Sequence, residues 1–179
     1  MKRWSIPMLT IMCLAIVSGV FADGVRNLQA RLRGFQEVPA VSSSGRGSFE
    51  ARISRDESQV TWELSYAALE GDVQQSHIHF GQRDVNGGIS VFLCSNLGNG
   101  PAGTQLCPAP PATIRGTFTA VDVIGPAAQG IAPGELAELI RAIRAGKAYA
   151  NVHSTRNPGG EIRGQLAPGR SNDDHSGHR

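Results

Sequence analysis

Apolar and polar residues alternate along much of the chain. Leu28, Ala30 and Leu32 alternate with Gln29, Arg31 and Arg33; Phe49, Ala51 and Ile53 with Glu50 and Arg52; Val60, Trp62, Leu64 and Tyr66 with Thr61, Glu63 and Ser65. Successive side chains of a strand point to opposite faces, so each stretch predicts a strand with one buried face. Residues 75–80, 89–94, 113–120, 147–153 and 161–166 are further strand candidates, separated by turns such as Asn86-Gly87-Gly88 and Asn157-Pro158-Gly159-Gly160. About eight short strands in succession predict an all-β domain, an antiparallel Greek-key sandwich or barrel. One stretch departs from this rhythm. Leu136, Leu139, Ile140 and Ile143 fall at i, i+3, i+4 and i+7, with Pro133 in the first turn and Gly146 after the last, which predicts a short amphipathic helix against one end or edge of the sheet. Its Arg141 and Arg144 suit the negative end of the helix dipole. Residues 167–179 show no apolar periodicity and are expected to be a disordered tail. His175 and His178 lie there, where ordering the chain around an ion would cost entropy, and are read as solvated.

The beginning of the chain has a different pattern. Lys2 and Arg3 precede an apolar run from Ile6 to Val17 and small residues up to Ala22, the pattern of a secretory signal cleaved after Ala22. The run is shorter than the roughly 20 apolar residues of a spanning helix. Cys13 follows Ile11 and Met12, without the small residue that a lipoprotein cleavage site requires. Removal of residues 1–22 changes the charge: 17 basic against 15 acidic residues become 15 against 15, because Lys2 and Arg3 leave with no acid. A neutral domain with a single lysine, Lys147, argues against nucleic acid or anionic lipid as a partner held by overall charge. Export to a periplasm or an extracellular space also leaves Cys94 and Cys107 as an even pair where disulfides persist, and the pair is expected to bond. The alternative is two free thiols.

The concentrated chemistry is in three histidines. His77 and His79 flank Ile78 on one predicted strand, so period two places both imidazoles on one face. His153 ends another, with Ala148, Ala150 and Val152 inward and Tyr149, Asn151 and His153 on the other face. Each histidine strand runs into a turn and a Gly-Gly pair, so the histidines are expected at equivalent strand ends, converging if the strands are neighbours. Three imidazoles suit copper or zinc with a position left open. The competing reading is structural: each ring bonds a backbone carbonyl or a carboxylate, with Asp84 or Glu161 available, and holds a loop. Nucleophilic catalysis has no support, since there is no Gly-x-Ser-x-Gly elbow, and no phosphate-binding glycine pattern opens a helix. Glu37, Glu50 and Glu63 are isolated in sequence and define no carboxylate pair.

Gly34-Phe35-Gln36-Glu37-Val38-Pro39, His77-Ile78-His79-Phe80-Gly81, and Asn151-Val152-His153 with Asn157-Pro158-Gly159-Gly160-Glu161-Ile162-Arg163-Gly164-Gln165 together resemble the CHRD domain, first described in chordin and widespread in bacterial exported proteins. The resemblance runs from Leu28 to Leu166 and implies an immunoglobulin-like or superoxide-dismutase-like β-barrel. It brings no settled activity. Chordin antagonises bone morphogenetic proteins, but the cysteine-rich modules associated with that binding are absent here, so that function is not carried over. A dismutase two-metal site needs more histidines than the three in the domain, whereas a single ion on His77, His79 and His153 can be built. The leading expectation is an exported binding or structural module without catalytic activity, its partner a protein or a surface. The alternative is a mononuclear copper or zinc protein with weak redox activity. A third reading, an adhesion or matrix domain for protein or glycan, lacks an aromatic platform: Trp62 is the one tryptophan beyond the signal, and it faces inward.

Overall fold

The computed structural model describes residues 25–169. The expected signal over residues 1–22, and the tail beyond Gly169, lie outside the described residues. Within them the chain forms β1 (Asn27–Arg33), β2 (Arg46–Ile53), β3 (Gln59–Ala67), β4 (Val73–Phe80), β5 (Gly88–Ser95), β6 (Ala112–Thr119), α1 (Leu136–Arg144), β7 (Ala148–Ser154), β8 (Ile162–Gln165) and β9 (Ala167–Pro168). The strands are antiparallel and run in the spatial order β5-β4-β7-β8-β1-β2-β3-β6, a single sheet curled into a nearly closed barrel. The ninth strand is short. It places Ala167 opposite Gln29 and Pro168 opposite Leu28, so order continues past Leu166, where sequence periodicity had ended.

The alternating residues fill the interior as period two requires. Leu28, Leu32, Phe49, Ile53, Val60, Trp62 and Leu64 form one core with Ile78, Ala148, Ala150 and Val152. Trp62 pairs across strands with Gly116, whose missing side chain accommodates the indole: a Cβ there would lie 2.6 Å from Cζ2. Helix α1 starts after Glu135 rather than at Pro133, and buries Leu136, Leu139, Ile140 and Ile143 in the same core. Gly146, at a φ of +67°, takes the chain out of the helix and donates its N–H to the carbonyl of Ile143.

The barrel has one seam, between the end strands β5 and β6, and the loop connecting them covers it. Ser95 N–H donates to the carbonyl of Gln105 (2.9 Å), and the Gln105 amide donates to the carbonyls of Leu93 on β5 (3.1 Å) and Arg115 on β6 (3.2 Å). The Cys94–Cys107 disulfide fastens this loop to β5. Asn96 reinforces it, donating to the Cys107 carbonyl and accepting from the Cys107 N–H, both at 2.9 Å.

Candidate metal centre

Strands β4 and β7 are neighbours although far apart in sequence: Ala148 lies opposite Phe80, and Ser154 opposite Val73. Because the pair is antiparallel, His79 and His153 sit toward opposite ends of it, not at equivalent ends as the matching turns suggested. His77 faces Asn151 between them, His79 faces Tyr149, and His153 faces Gln75. Ile78 and Val152 point into the core, so the three imidazoles share the outer face, as period two requires. Two register shifts in the β4–β5 pairing, on either side of the His77-Ile78 pair, bring Phe92 opposite His77. The two rings meet edge to face at 4.4 Å.

This outer face is covered. His77 is fully buried, and His79 and His153 are 7% and 6% exposed. The cover is made by the turns that follow each histidine strand, and the ring nitrogens hold those turns. His79 Nδ1 bonds the carbonyl of Gly87 and His153 Nδ1 that of Pro158, both at 2.9 Å. The carboxylates of Asp84 and Glu161, candidates from their nearness in sequence, do not take these places. Glu161 instead accepts from the Ser43 hydroxyl (2.6 Å) and the Glu70 N–H (2.7 Å), tying down two other loops. Burial raises the pKa of Glu161, but the donors around it outweigh that and hold it below the usual value.

With Nδ1–H donated to carbonyls, the neutral rings of His79 and His153 carry their lone pairs on Nε2. His77 Nδ1 lies 3.2 Å from His153 Nε2 and donates to it. Nε2 of His77 and Nε2 of His79 are buried with no hydrogen-bond partner among the described residues. An orphaned buried acceptor costs about 1–3 kcal/mol. All three rings are held neutral. Burial, reinforced by the neighbouring histidines, pushes the His77 pKa down to about 2. Burial takes His79 down to about 4 against the opposing bond to Gly87, and lowers His153 against its bond to Pro158.

One ligand atom from each histidine can be chosen so that all lie within 4.8 Å of one another. First-shell bonds of about 2.1 Å allow at most about 4.2 Å between two ligand atoms, so an ion would draw the widest pair in by about half an ångström. The donor set fits zinc or copper in chemistry: three neutral imidazoles, two of them (His79 and His153) oriented by carbonyls at Nδ1, with Nε2 of His77 and His79 unpartnered and Nε2 of His153 able to exchange the bond from His77 for an ion.

A CHRD-domain profile matches residues 28–166. The chain belongs to the CHRD-domain family. No curated protein and no solved structure matches it. In this CHRD domain the motifs that carried the resemblance meet around the histidines. Val38 of the first motif accepts a hydrogen bond from the Asn86 amide (2.8 Å), and Glu37 lies over Gly160. Gly160 has a φ of +132°, and a Cβ there would stand 2.5 Å from Glu37 Oε1. Arg163, opposite Asn151 in the β7–β8 pairing, is 1% exposed and donates to the carbonyls of Gln82 (3.0 Å) and Val85 (2.9 Å). Its guanidinium carbon is 3.4 Å from the centroid of the Tyr149 ring, which in turn stacks on His79 at 4.8 Å. Burial raises the Glu37 pKa to about 7 although the Arg163 charge opposes it.

Period two had placed Tyr149 and Asn151 on the His153 face, whereas Glu37 and Arg163 were not singled out from sequence as members of this site. For Glu37 and Arg163, the available signal was their position inside the resembling motifs.

Proposed function

We propose that this CHRD domain is an exported binding module whose three histidines, His77, His79 and His153, hold a single zinc or copper ion. The observation that carries the reading is the pair of buried, unpartnered Nε2 atoms in a cluster of three neutral imidazoles. A polar atom buried without a partner is costly, and an ion would satisfy both. When bound, zinc would supply a Lewis acid and copper a redox centre. The protein's own part is to orient the rings through Gly87 and Pro158, to exclude water with the two turns, and to keep all three nitrogens unprotonated. The disulfide and the family both suit an oxidising compartment, periplasmic or extracellular, and the partner is read as a protein or a surface.

The test is titration of the metal-stripped chain with zinc and with copper, followed by calorimetry. One ion per chain is expected, with binding lost in His77→Ala, His79→Ala and His153→Ala variants that keep the wild-type circular dichroism spectrum. Binding that survives all three substitutions, or no binding by the wild type, would leave the histidines as structural residues that hold the turns.

A further inference from the structure

The outward faces of β1, β2 and β3 form a groove of about 1120 Å³. It is larger than the roughly 300–1,000 Å³ of a small-molecule pocket. Arg31 and Arg33 of β1, Arg46 of β2 and Arg83 of the β4–β5 turn line it, with Glu50 as the one carboxylate in the lining. All four arginines are exposed, and none makes an ion pair among the described residues. Their placement costs stability. Arg33 lies directly opposite Arg46 in the β1–β2 register, and Arg31 opposite Ser48 is diagonal to Arg46. Like charges directly across a strand pair repel. Elsewhere on the surface arginines have acids: Arg115 pairs with Glu63 at 2.6 Å, and Arg144 with Glu57 at 2.8 Å.

Beside the arginines the surface is small and hydroxylated. Ser48, Ser65 and Thr113 stand in register across β2, β3 and β6, with Ser65 Oγ 2.8 Å from Thr113 Oγ1. The rings beneath, Phe49 and Tyr66, are buried, so the groove offers no platform on which a nucleobase or a neutral sugar could stack. The backbones of β2 and β3 are paired on both sides, which leaves no edge for an added peptide strand. What remains is unpaired guanidinium forks, which match carboxylate or sulfate, beside a row of hydroxyls, which match sugar hydroxyls.

We propose that this groove binds an anionic polysaccharide, its uronate or sulfate groups held by Arg31, Arg33, Arg46 and Arg83 and its hydroxyls by Ser48, Ser65 and Thr113. The groove meets the cover of the histidine cluster only through Arg83 of the β4–β5 turn, and the proposal does not depend on a metal.

The experiment is affinity electrophoresis and calorimetry of the full chain against polygalacturonate, heparin, dextran, polyglutamate and a thymidine oligonucleotide. Binding to polygalacturonate or heparin that weakens with salt is expected, with the better of the two identifying the anionic group. Dextran should not bind. Arg33→Gln and Arg46→Gln together should weaken binding at least tenfold, Arg33→Gln alone should weaken it measurably, and Arg115→Gln, outside the groove, should leave it unchanged. The proposal is overturned if neither anionic polysaccharide binds at low salt. It also fails if polyglutamate or the oligonucleotide binds as well as they do, or if Arg33→Gln has no effect.

Discussion

The buried histidines and the buried Glu37 give stability opposite dependences on pH, and one substitution separates them. His79 keeps its neutral form in the fold down to about pH 4, whereas in the unfolded chain it titrates near 6.5. Between those values the unfolded chain binds the proton first, so stability is full above 6.5 and falls as pH drops toward 4. At 1.36 kcal/mol per unit the loss from His79 alone is about 3 kcal/mol. His77 and His153, also shifted downward by burial, act in the same direction. Glu37 does the reverse: its pKa is about 7 in the fold against 4.5 unfolded, so the folded chain binds the proton first and stability falls as pH rises from 4.5 to 7. Its contribution is also about 3 kcal/mol, and it masks much of the histidine loss. Glu37→Gln removes the mask. Denaturant unfolding of the metal-free chain at a series of pH values should show the variant losing about 3 kcal/mol more than wild type between pH 7 and 4.5. Glu161, held below its usual value, is lost below that window. Parallel stability curves for the two proteins, or a variant whose stability is flat across the window, would refute the burial argument.

Two further outcomes follow from the geometry. Replacing both cysteines, Cys94→Ser with Cys107→Ser, opens a loop spanning 13 residues and should lower the unfolding free energy by about 3 kcal/mol, and an unchanged denaturation midpoint would show that the bridge constrains nothing. Gly160→Ala drives a Cβ into Glu37 at a positive φ and should cost about 2 kcal/mol or more, while Gly159→Ala, with nothing within 4 Å, should stay within about 0.5 kcal/mol; equal midpoints for the two variants would contradict this packing.

The strands were legible because each has a wet side and a dry side. β1, β2 and β3 follow the alternation, and β4 to β8 lie within two residues of the stretches expected. In β7 every residue from Ala148 to Ser154 is buried, including the face that carries Tyr149, Asn151 and His153. Parity identifies that face but not its cover, since the cover comes from turns that follow no period. For the same reason parity left the ring partners open between a backbone carbonyl and a carboxylate, and the carbonyl branch is the one that holds. Asp84 and Glu161 are close in sequence, but the turns aim the carbonyls of Gly87 and Pro158 at the imidazoles instead. Arg163 and Glu37 belong to opposite ends of the domain and meet the histidines only because β8 lies between β7 and β1.

The seam between β5 and β6 has a consequence beyond one molecule. These are the two end strands of the sheet, and they are the two halves of one missing ladder. Freeing the loop that bears Gln105 and Cys107 uncovers both edges at once. An edge of β5 on one copy is then a template for the β6 edge of another, a head-to-tail match that closes on nothing and can propagate. Reduced chains are therefore expected to self-associate more readily than oxidised ones, which light scattering of the two would show.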